Sequence, residues 1–167
     1  MKVELKHIVG YLPYNLDIEW QRCIYPRRKE NIKLHVTDLV LWDNKAFKLK
    51  PILRPISDLT KEIEVNGEKF VPILVIAKIF GFGDLEKFEL DDNVVEYGWV
   101  ERYMDDSQPY SFGYFQNGEF GTWYDDIDDS HPIQVHCKME VIEWLYQHHF
   151  DIHGLIENDL AIDINTL

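Results

Sequence analysis

After residue 83 the chain is nearly without cations: three Lys or Arg remain against twenty Asp or Glu. A protein that grips nucleic acid must neutralise phosphates, so this half has the wrong sign for direct nucleic-acid binding. Two cysteines, Cys23 and Cys137, are too few for the disulfide framework of a small secreted domain, which points to a reducing compartment. They are not in C-x-x-C spacing, and Cys137 follows His136 directly, where helix neighbours do not face each other, so a thiol enzyme is not supported. No run approaches the roughly 18 apolar residues of a membrane-spanning helix. The opening "MKVELKHIVGYLPYNL" lacks the apolar core of a signal peptide, and a cytoplasmic protein is expected. There is no G-x-S-x-G and no P-loop. No internal repeat or low-complexity linker appears, so one globular domain over residues 1–167 is expected.

What is present is apolar bulk and uneven charge. Hydrophobic residues make up 46% of the chain and aromatics 14%, enough for a packed core. The net charge of −13 divides into +4 over residues 1–83 and −17 over 84–167. Residues 84–130 alone hold 14 of the 30 acids and 11 of the 23 aromatics. Such a surface attracts basic partners.

The pattern predicts an α+β fold: a small antiparallel sheet carrying an aromatic hairpin, packed against two or three helices. "IKLHVTDLVLW" (32–42) reads as a strand and "YPRRKEN" (25–31) as a charged loop. Pro13 marks a turn or edge strand within 10–20. Ser57 and Asp58 suit a helix start and Asn66-Gly67 a stop, predicting a helix over 58–65. "PILVIAKIFG" (72–81) predicts a second helix, opened by Pro72 and closed by Gly81. "NVVEYGWVERY" (93–103) reads as a strand. "YSFGYFQNGEFGTWY" (110–124) reads as a hairpin with a type I′ turn at Asn117-Gly118. "QVHCKMEVIEWLYQHHF" (134–150) carries a helical apolar stripe through Val135, Met139, Ile142, Leu145, Tyr146 and Phe150, with Gly154 closing the region. A short helix and strand follow over 155–167.

Two clusters invite a functional reading. His148, His149, Asp151 and His153 crowd "QHHFDIH", and His149 and His153 have the i, i+4 spacing of helical metal ligands. His131 and His136 are the upstream residues available to complete a set. A break near 150 would spoil that spacing, and basic side chains also suit a helix C-terminus. Solvated histidines titrating near about 6.5 are therefore expected, with no metal and no cofactor. The second cluster is the acidic pairs Asp91-Asp92, Asp105-Asp106, Asp125-Asp126 and Asp128-Asp129, placed at strand ends with Trp123 and Tyr124 among them. "DDIDDSHP" offers Asp126, Asp128 and Ser130 for a calcium loop, but His131 stands where glycine is required and Cys137 where glutamate is required. "WDNK" offers Asp43 and Lys45, with Asp38 upstream, for nuclease chemistry, a pattern that chance supplies in any charged loop.

"LKPILRPISDLTKEIEVNGEKFVPI" and "HHFDIHGLIENDLAIDINTL", with the opening "LKHIVGYLPYNL", resemble a group of small uncharacterised proteins encoded in phages and prophages of gut Bacteroidales. The resemblance covers the first twenty residues, 49–73 and 144–167. It implies a phage or prophage accessory protein in a bacterial cytoplasm, and no functional residues. The expected function is non-enzymatic: the acidic, aromatic face binds a basic protein surface of host or phage, in one version as a nucleic-acid mimic. The alternatives are a metal-dependent hydrolase or nuclease using the C-terminal His/Asp cluster, and an oligomeric structural phage component.

Overall fold

The computed structural model describes residues 3–24, 28–41, 47–80, 86–88, 98–101, 110–114, 120–124, 132–134 and 138–167. The architecture is α+β, and the chain divides into two compact units. The first comprises Met1–Ile56 and Glu143–Leu167, the second Ser57–Ile142.

The first unit is built on a four-stranded sheet of order β11-β3-β1-β2, with β1 at Asp17–Arg22, β2 at Arg28–Lys33, β3 at Phe47–Leu53 and β11 at Ile162–Asp163. β1 runs antiparallel to both β2 and β3, but β11 pairs with β3 in parallel, so the sheet is mixed. Two 3₁₀ stretches, Leu5–His7 and Val9–Tyr14, precede β1, and Asn15 in the left-handed conformation turns the chain into it. Pro13 thus lies inside a 3₁₀ turn. Alternation along β1 sends Ile18 inward and Asp17, Glu19 and Gln21 to the outer face. The core gathers Ile8, Tyr11, Leu16, Ile18, Leu34, Leu53, Leu155 and Ala161 from both ends of the chain.

The strand expected over 32–42 ends early. β2 closes at Lys33, and Val36–Leu41 is a 3₁₀ helix. The Asp38 carboxylate accepts the His35 backbone N–H at 2.8 Å, a local bond that competes with the sheet ladder. The charged stretch 28–31, expected as loop, supplies β2.

In the second unit the helix expected over 58–65 is replaced. Ile56–Thr60 is a 3₁₀ turn, and β4 (Ile63–Val65) and β5 (Glu68–Phe70) form a hairpin. Val65 pairs with Glu68, and Asn66 and Gly67 between them have φ of 54° and 85°. That is the two-residue turn that positive φ at both centres requires. α1 follows at Pro72–Phe80, as expected, with Ile73, Ile76 and Ala77 buried.

An antiparallel meander of five strands completes this unit, in the order β10-β9-β8-β7-β6. Its members are β6 (Glu86–Phe88), β7 (Gly98–Glu101), β8 (Tyr110–Tyr114), β9 (Phe120–Tyr124) and β10 (Pro132–Gln134). β8 and β9 are the arms of the expected aromatic hairpin, in a register that sets Tyr114 against Phe120. The tip itself, 115–119, lies outside the described residues.

α2 runs from Met139 to Gln147, shorter than the 134–150 expected, because 132–134 belong to β10. The division between the units falls within it, at Glu143. Leu145 and Phe150 are buried, Trp144 is half-buried, Glu140, Glu143 and Gln147 are exposed, and Met139 is 65% exposed despite its place in the apolar stripe.

Candidate functional site

The C-terminal histidine cluster is part of the architecture of the first unit. α2 ends in a pair of bonds: the Phe150 N–H reaches the Leu145 carbonyl at 2.9 Å and the His149 N–H reaches the Tyr146 carbonyl at 3.1 Å. Left-handed His149, with φ 59°, makes this a Schellman ending, and buried Phe150 and Leu145 supply its apolar contact. The residue that turns the chain is therefore His149, ahead of Gly154, which also has positive φ. Beyond the helix the backbone docks on β3. The Arg54 N–H donates to the His149 carbonyl and the Asp151 N–H to the Arg54 carbonyl, each at 2.8 Å, around a parallel bridge between Arg54 and Phe150.

The four side chains proposed as ligands take separate partners. His148 Nδ1 donates to the Trp144 carbonyl at 2.8 Å, and its ring stacks on the Trp144 indole at 3.9 Å. His149 Nε2 donates to the Tyr14 carbonyl at 2.8 Å. His153 Nε2 meets the Tyr146 hydroxyl at 3.3 Å, and its ring lies 5.2 Å from that of buried His7. The carboxylate of Asp151, itself 5% exposed, accepts the backbone N–H groups of Leu155 at 2.9 Å and Ile156 at 2.7 Å, with that of His153 farther at 3.4 Å. Buried charge is tolerated when hydrogen bonds surround it in this way. Since α2 stops at Gln147, His149 and His153 never share a helical face. Among the described residues no three His, Cys, Asp or Glu side chains stand together as a metal would need.

These histidines are half-buried instead of fully solvated, which departs from the expectation of ordinary titration. Burial pushes all three below the usual imidazole value. Carbonyl acceptors at Trp144 and Tyr14 oppose the shift for His148 and His149, and neighbouring His7 reinforces it for His153. Tyr11, which the sequence did not single out, donates to the Phe150 carbonyl at 2.6 Å, and burial holds its phenol far above the ordinary value. Gly10 lies so close to the Tyr146 ring that a Cβ there would overlap it.

The acidic pairs fall in the connections between strands: Asp91-Asp92 between β6 and β7, Asp105-Asp106 between β7 and β8, and Asp125-Asp126 with Asp128-Asp129 between β9 and β10. These eight residues lie outside the described ones, as do Ser130, His131, His136, Cys137, Asp43 and Lys45. The backbones of Trp123 and Tyr124 sit in β9, opposite Ser111 and Tyr110. Asp38, the remaining member of the nuclease pattern, is engaged with the His35 amide.

One open groove appears on the outer face of the first unit's sheet. It measures about 490 Å³ and is lined by Lys29, Lys48 and Lys50 with Glu19, Gln21, Ile162 and Leu167. Sequence reading missed it because its lysines are spread over two strands that only the register brings together. A comparison with family models, with curated proteins and with solved structures finds no match to this chain.

Proposed function

We propose that the protein is a non-enzymatic accessory protein that docks its acidic, aromatic-rich segment, residues 84–130, on a basic protein surface. The observation that carries this reading is the charge split, with 14 acids against Lys87 and Arg102 within that segment. Its described stretches form an antiparallel meander, and in sequence the acidic pairs lie between its strands, giving the segment a charge that attracts basic surfaces. Aromatic residues in the strands are the type that anchors interfaces. The phage or prophage setting suggested by the resemblance supplies a context in which host nucleic-acid-binding proteins are targets, and closely spaced carboxylates then stand in for phosphates.

The test is capture of partners from host lysate at low salt. Wild type should retain a specific basic protein, released as salt screens the contact. A variant with Asp125, Asp126, Asp128 and Asp129 changed to Asn should retain much less. Absence of any specific partner at low salt would sink the reading.

A further inference from the structure

We infer that the lysine-lined groove on the outer sheet face is a docking site for an extended acidic peptide of acid-x-acid pattern. This stands apart from the acidic segment of the same chain and goes beyond the function proposed above.

The register sets Gln21 of β1 between Lys29 of β2 and Lys48 of β3, and Glu19 between Asn31 and Lys50. Lys48 and Lys50 are two residues apart on one strand, so their side chains share a face about 6.8 Å apart. An extended peptide presents alternate side chains at the same interval, so two acids separated by one residue match the two ammonium groups. Lys29 stands two strands away and reaches the groove from the other side. Ile162 and Leu167 add an apolar wall for the residue between or beside the acids.

The existing ion pairs leave room for such a ligand. Lys50 holds Asp159 at 2.7 Å, but that carboxylate is 95% exposed, at the rim. Lys29 holds Glu19 at 2.6 Å with its own side chain 62% exposed. The Asp159 carboxylate stands in solvent, so its pair with Lys50 contributes little and exchanging it for a ligand carboxylate costs little. Lys48 has no ion-pair partner among the described residues and is exposed. Residues 84–167, at −17, would repel an acidic ligand, which favours the lysine-bearing strands of residues 1–83.

The experiment is a fluorescence-polarisation titration of the full chain with a labelled twelve-residue peptide, about the length of an extended groove ligand, alternating Asp with Ser or Val. An otherwise identical Asn peptide is the control. The Asp peptide should bind, and binding should weaken about tenfold or more between low and moderate salt. Lys48→Glu with Lys50→Glu should reduce affinity by about tenfold or more while leaving the melting curve near wild type, because Lys48 is exposed and the carboxylate Lys50 holds stands in solvent. Lys6→Glu, a charge change outside the groove, should alter affinity by less than about threefold. Equal binding of the Asn peptide, or undiminished binding by the double variant, would overturn the assignment. So would light scattering that shows salt-sensitive self-association without peptide binding, since the face would then belong to a second copy. None of these readouts involves residues 125–129, so failure here is distinguishable from failure of the partner capture.

Discussion

The turn after α2 and the outer face of the sheet use their polar side chains in opposite ways. In the turn, Asp151, His148, His149 and Tyr11 are tied to backbone groups and lie partly or wholly buried. On the face, Lys33–Asp17, Lys29–Glu19 and Lys50–Asp159 are ion pairs whose lysines are at least one-third exposed. A buried polar group whose valences are filled by its own backbone holds a shape and has little left for a ligand. An exposed pair can exchange its partner.

The largest effect should come from the turn. Asp151→Ala strips the acceptor from a set of buried backbone N–H groups and should cost about 3 kcal/mol or more in urea unfolding. Asp151→Asn, keeping one acceptor oxygen, should recover part of that. A change below about 1 kcal/mol would erase the contrast with the sheet face.

Gly10→Ala comes next. Its methyl meets the Tyr146 ring, and overpacking of this kind should cost about 1–3 kcal/mol. An unchanged urea midpoint would mean that the 3₁₀ stretch is not held against α2.

Acidification acts on the turn. The folded state holds His148, His149 and His153 below their unfolded value of about 6.5, so the unfolded chain binds more protons below that pH. Stability should be full above about 6.5 and fall as pH drops below it, through the depressed folded values. Substituting Gln at all three should flatten that dependence. Melting curves between neutral and mildly acidic pH decide this, and a flat wild-type profile would place the rings in solvent.

On the sheet face, Lys33→Ala should change stability by less than about 1 kcal/mol, because the pair it breaks is exposed at both ends. The smallest expected effect is that of zinc, which should leave the melting temperature unchanged. A zinc-dependent rise in wild type, lost when the three histidines are replaced, would overturn the account of the turn.

The sequence was most legible where a short-range signal coincided with the final structure. Pro72 and the apolar run after it mark α1, and the aromatic arms around 117 mark β8 and β9. The dipeptide Asn-Gly was less reliable. At 66–67 it reads as a helix stop, because Ser57 and Asp58 suggest a helix upstream, yet it forms a two-residue hairpin turn with both φ positive. At 117–118 it reads as the tip of such a turn, and those residues lie outside the described ones. At 66–67 the same local preference for positive φ serves a hairpin because the strands on either side pair. The end of α2 was obscured for a related reason. Gly154 is the obvious left-handed residue, but docking of 149–151 on Arg54 selects His149 for that role. The groove could not be read because cross-strand neighbours are invisible until register is known.

The bridge between Arg54 and Phe150 has a consequence for the order of events on the ribosome. The first unit is assembled from both ends of the chain, with the whole of Ser57–Ile142 between them. A nascent chain that has reached Ile142 contains all of the second unit but lacks β11, the Asp151 turn, and the Leu155 and Ala161 of the first unit's core. The residues up to Ile56, though made before the second unit, must wait for those from Glu143 onward. Loss of the final residues would therefore fall on the unit that holds the first, and leave the segment nearest in sequence with its own strands complete.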